Sequence, residues 1–112
     1  MPISLAGSYV ATAKVVATDT GGGQALADCG LVAHTRSGPN PDDSDQVFSF
    51  LNTLYDQQTL SLEVAHHFSR PGTITLQCEQ NGTFSGGTTL RFDKAKVIAT
   101  QVSSLSNAAV TG

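Results

Sequence analysis

Three histidines, a run of aspartates and two cysteines are the residues of this 112-residue chain best suited to chemistry. His66 and His67 adjoin Phe68, and His34 follows Cys29 by five positions, so a zinc or copper site built from three imidazoles can be drawn. Adjacent residues of a strand point to opposite faces, however, which keeps His66 and His67 off a common ion. Histidines at a surface or interface are the simpler expectation. Asp42, Asp43 and Asp45 offer the oxygen ligands that calcium prefers, although the Gly and distal Glu of an EF-hand loop are absent and a solvated acidic loop explains the same residues. They are the best metal candidates, and calcium is the one cofactor for which the sequence has a place.

Hydrolytic chemistry finds little support. Ser, His and Asp are all present, yet no Gly-x-Ser-x-Gly elbow occurs, and the two glutamates, Glu63 and Glu79, have no evident acidic partner for glycoside cleavage. No enzyme is expected. Sugar binding is harder to dismiss. With no Trp, two Tyr and five Phe, most of the aromatic residues should be claimed by the core, leaving Tyr55, beside Asp56, Gln57 and Gln58, as the exposed platform. Asn81-Gly82-Thr83 fits the N-glycosylation pattern, but an Asn-Gly hairpin explains it equally.

Cys29 and Cys78 lie in short alternating segments, Cys29-Gly30-Leu31-Val32-Ala33 and Ile74-Thr75-Leu76-Gln77-Cys78, each cysteine sharing the phase of a leucine. That pattern reads as one buried disulfide in a β-rich interior and an oxidising compartment. Closing a loop of about 50 residues would contribute on the order of 4 kcal/mol in the chain-entropy model.

The elements that must position these residues read as strands. Ser8 to Thr18 alternates Tyr9, Ala11, Ala13, Val15 and Ala17 with Val10, Thr12, Lys14 and Val16. A second strand runs from about Gln24 to Thr35, with a phase change after Leu26 and a bulge expected at Asp28 and Gly30. Ser37 to Asp45, with two prolines and a glycine, reads as the clearest loop. Gln46 to Leu51 and Thr59 to His67 follow as strands, with a poorly capped helix over Phe48 to Tyr55 as the alternative. Thr73 to Glu79 leads to the Asn81-Gly82 hairpin, and Thr88 to Leu105 is long enough for one bent strand or two. The expected fold is all-β: an antiparallel β-sandwich of jelly-roll type with about eight strands, forming a single domain over residues 1–112.

Charged residues are 13% of the chain, about half the usual share. The net charge is −3, and the basic residues Lys14, Arg36, Arg70, Arg91, Lys94 and Lys96 are scattered apart from the last three. Neither nucleic acid nor anionic lipid is an expected partner. No apolar run reaches the length of a membrane span, and the start lacks the marks of a signal peptide, so export is inferred from the cysteines alone.

Gly7-Ser8-Tyr9-Val10-Ala11-Thr12-Ala13-Lys14-Val15, Cys29-Gly30-Leu31, Pro71-Gly72-Thr73-Ile74-Thr75-Leu76-Gln77-Cys78 and Lys96-Val97-Ile98-Ala99-Thr100-Gln101-Val102-Ser103-Ser104-Leu105 together resemble small disulfide-bonded β-sandwich domains of uncharacterised function from actinobacterial surface, secreted or phage proteins. The Gly-x-Tyr opening is more distantly similar to the C1q and tumour-necrosis-factor jelly rolls. The first resemblance implies a non-enzymatic surface or particle module, the second a homotrimer. The resulting expectation is a structural or adhesive module, extracellular on a cell surface or virion, that self-associates through the second face of its first long strand, Val10, Lys14 and Val16. The alternative is a calcium-assisted carbohydrate-binding module using Tyr55 and the Asp42 to Asp45 loop.

Overall fold

A computed structural model describes residues 1–35, 43–83 and 90–103. Among these are seven strands, β1 (Pro2–Ile3), β2 (Gly7–Asp19), β3 (Ala25–Thr35), β4 (Asp43–Leu51), β5 (Gln57–Phe68), β6 (Gly72–Thr83) and β7 (Leu90–Val102), where about eight were expected. All pairings are antiparallel. They build a four-stranded sheet in the order β1-β6-β3-β4 and a three-stranded sheet in the order β5-β2-β7.

The two sheets enclose one core because β2 and β3 alternate as their sequences require. Ala11, Ala13, Val15 and Ala17 of β2 and Ala25, Ala27, Cys29, Leu31 and Ala33 of β3 are buried. Small side chains line these two central strands, and the bulk comes from around them: Phe68, Leu51, Ile74, Leu60 and Leu62. A side chain the size of Phe68, fully buried, stabilises the fold by roughly 2–3 kcal/mol relative to an exposed one. At one end of the sandwich Tyr9 packs edge-on against Phe68 and donates its hydroxyl to the Leu5 carbonyl at 2.9 Å.

The strands pair as nested ladders. β3 pairs with β4, β2 with β5 and β1 with β6, each pair enclosing the one before it along the chain. Such a rolled ribbon is the jelly-roll plan, whose full form has eight strands in two Greek keys. β7 pairs with β2 and has no second ladder partner among the described residues.

Several local expectations are corrected. The burial phase of β3 runs unbroken from Ala25 to Ala33. The irregularity lies not at Asp28 and Gly30 but where Ala25 and Ala27 face Thr83 and Gln80, an extra residue in β6. Asn81-Gly82 therefore continues β6 instead of turning a hairpin. Asp43 to Asp45 opens β4 and does not belong to a loop. No helix forms over Phe48 to Tyr55, because Phe48 and Phe50 alternate with inward-facing Val47, Ser49 and Leu51. Asp42 lies outside the described residues.

Candidate functional site

The disulfide is present. Cys29 and Cys78 are register partners on neighbouring strands, with Cα atoms 4.1 Å apart and a sequence separation of 49. It staples β3 to β6 within one sheet. It also suits an oxidising, extracellular-type environment, and among the described residues there is no helix long and apolar enough to cross a membrane.

The histidines are spread over three surroundings. His66 faces Asp43 through Nδ1 and packs edge-on against Phe68 at 4.6 Å, whereas His67 Nδ1 lies 2.9 Å from Ser8 Oγ. His34 sits on the other sheet, opposite Thr73. Among the described residues no cluster of three or more His, Cys, Asp or Glu side chains could hold a metal ion.

The aspartates of β4 are engaged by the chain itself. Asp45 accepts the Glu63 backbone N–H of β5 at 2.9 Å on Oδ2 and the Gln46 N–H at 2.9 Å on Oδ1. With Asp43 bonded to His66 one turn of the ladder away, the start of β4 is clipped to β5 of the opposite sheet. Tyr55 is 73% exposed in the turn after β4, with φ of 65° and its N–H donated to the Asp19 carbonyl at 2.7 Å. Asp19, fully buried beneath that turn, accepts the N–H groups of Gly21 and Gly22 at 3.0 and 2.9 Å. At about 3.3 Å per residue, the length of β4 holds Tyr55 roughly 30 Å from Asp43. The acidic residues and the tyrosine do not form one patch.

Val10 and Val16 are half-buried on the outer face of β2 and Lys14 is exposed between them. Lys14 stands directly opposite Lys96 of β7, and like charges so placed repel.

Among the described residues, the least covered part of the core is the seam between β6 and β7. Phe92, Val97 and Ala99 of β7 oppose the buried Ala17, Ala13 and Ala11 and point into the sandwich, yet each is only partly buried. Leu76 and Cys78 of β6 share this condition. β1 covers β6 only at Thr73 and Gly72, and β6 makes only slight contact with β7. Along β7 the edge changes character. Arg91, Asp93, Lys94 and Lys96 guard its first half, where an extra residue bulges the strand and Lys94 has φ of 55°. Charges and bulges of this kind protect an edge from pairing. Val97-Ile98-Ala99-Thr100-Gln101-Val102 carries none of them. Alternation alone could not reveal this seam, because it marks which face is inward and not whether anything covers it.

No family model matches the chain, and no curated protein or solved structure matches it either.

Proposed function

We propose that the domain is a non-enzymatic structural or adhesive module of a cell-surface or virion assembly, and that it self-associates through the second half of β7. The observation that supports this is the seam between β6 and β7: among the described residues no strand pairs with the outer edge of β7, which lies above apolar side chains that face inward but remain partly exposed. An added strand would pair with the edge and cover those side chains.

A second copy of the same edge suits the position. Val97 to Val102 is rich in β-branched residues and has no charge, Pro or Gly, so antiparallel pairing about a two-fold axis near Ala99 sets no like charges against one another. It would join two three-stranded sheets into one of six strands with both interiors on the same side. The three-fold association through Val10, Lys14 and Val16 is the weaker reading, since a contact centred there gathers Lys14 and Lys96 from every copy.

Light scattering tests the proposal. The wild-type chain should show twice the monomer mass at micromolar concentration, and Ile98→Lys combined with Thr100→Lys, both at exposed positions, should give the monomer with its thermal transition retained. A wild-type monomer, or a dimer indifferent to both lysines, would refute edge pairing.

A further inference from the structure

The outer face of the four-stranded sheet carries a groove of about 480 Å³, bordered by Asp28, Gly30, Val32, Gln46, Gln77 and Glu79. Gly30 is its floor. This glycine sits mid-strand in β3, with Gln46 of β4 directly across on one side and Gln77 of β6 on the other. Neighbouring strands lie about 4.8 Å apart, which sets the two amide side chains on backbones roughly 10 Å apart with nothing between them but the peptide of Gly30.

Nothing structural asks for glycine there. Gly30 is not among the positive-φ residues, and a Cβ at this position would come no closer than 3.7 Å to the Asp45 carbonyl oxygen, an ordinary contact. Glycine in a strand interior costs stability relative to alanine, and where backbone geometry does not explain it, close approach of a ligand does.

The surroundings define what would approach. Asp28 is nine-tenths buried, and its carboxylate accepts the Gln46 side-chain amide at 2.9 Å and, more loosely, that of Asn81 at 3.5 Å. Planar amides and carboxylates thus face one depression, and among the described residues no basic one borders it. Phe48 stands opposite Asp28 and Phe50 opposite Leu26 on the same face, and these rings are 53% and 51% exposed. Hydroxyl groups satisfy the amides and carboxylates, while the C–H faces of a sugar ring suit an exposed phenyl. Three carboxylates, Asp28, Asp45 and Glu79, with no cation among the described lining residues, disfavour an acidic ligand.

We infer that this groove binds an uncharged saccharide, with Gln46, Gln77 and Asp28 taking hydroxyl hydrogen bonds over Gly30 and Phe48 stacking on the adjoining ring. The site belongs to the sheet that does not contain β7, so binding can be read whether or not copies pair.

The test is amide-resolved NMR titration of the intact, oxidised protein with xylohexaose, cellohexaose, maltohexaose and chitohexaose, and with polygalacturonate as an anionic counter-probe. At least one neutral hexasaccharide should shift Gly30, Gln46 and Gln77 with a Kd of about 1 mM or tighter. Gly30→Val, which fills the floor, and the exposed-site variants Gln77→Ala and Phe48→Ala should each weaken that binding about tenfold or more, with the spectrum otherwise folded. Absence of shifts with all four neutral probes, binding of polygalacturonate alone, or affinity unchanged in Gly30→Val and Gln77→Ala would overturn the inference.

Discussion

Gly30 and Gly72 are both strand glycines, and they are opposites. A Cβ on Gly72 would lie 2.4 Å from the His34 carbonyl oxygen and 2.7 Å from the ring of Phe68, a side chain with no exposed surface. Backbone and core close on that position from both sides, so Gly72→Ala should cost more than about 2 kcal/mol in chemical denaturation. Gly30→Ala should instead leave stability unchanged or raise it by about 0.5–1 kcal/mol. Equal losses from the two substitutions would remove the reason for assigning Gly30 to ligand binding. The sequence displays both glycines alike. What separates them is the proximity of chain segments many residues away, which spacing along one strand does not encode. Phe48 and Phe50 were hidden for a related reason. Phenylalanine is expected inside, and only the pairing of β4 with β3 shows these two on the outer face.

Strands themselves were far more legible. The alternation from Tyr9 to Ala17 and from Cys29 to Ala33 forecasts the buried face of β2 and β3, and the shared phase of Cys29 and Cys78 forecasts their pairing. The start of β4 was not legible, because Asp43, Ser44 and Asp45 have the composition of a loop and are strand only by virtue of their partners. Asp45 is the clearest example. Its carboxylate substitutes for a strand neighbour by accepting the Glu63 N–H at the edge of β5. Asp45→Ala should therefore cost about 0.5–1.5 kcal/mol, a solvent-exposed hydrogen bond to a charged group being replaced by one from the Glu63 N–H to water. Hydrogen exchange should locate the loss at the Glu63 amide. A variant as stable and as protected as wild type would show the clip to be idle.

At the scale of the whole molecule, the nested ladders decide what is finished and what is open. β4 is clipped to β5 by Asp43 and Asp45, while on the opposite side, between β6 and β7, Leu76, Cys78, Phe92, Val97 and Ala99 are only partly buried and no strand among the described residues covers them. A two-layer β fold with one disulfide follows from periodicity. Which edge stays open does not, since it depends on strand order, and strand order depends on pairings far apart in the chain. The groove proposed to take a saccharide and the edge proposed to pair belong to different sheets. An assembled pair would thus still present both grooves, and multivalent engagement of a glycan surface would follow from the dimer without any new contact.

The nesting also sets a timetable. The β3–β4 ladder joins the strands nearest in sequence, whereas the β2–β5 and β3–β6 ladders both bridge longer stretches of chain and follow it. Early closures are cheaper in chain entropy than late ones, so folding should proceed outward from β3 and β4. In a chain that folds from the reduced state, Cys29 and Cys78 become register partners when β6 docks on β3, which would make oxidation a late seal and not a guide. Cys29→Ser with Cys78→Ser should leave the refolding rate near that of the oxidised protein's early phase while unfolding accelerates, carrying most of a stability loss of about 4 kcal/mol. Stopped-flow measurements on both forms would decide it, and a refolding rate that collapses without the bond would mean that the cysteines meet early. A chain that folds before it is oxidised spends an interval complete in shape yet reversible, and only afterwards becomes durable.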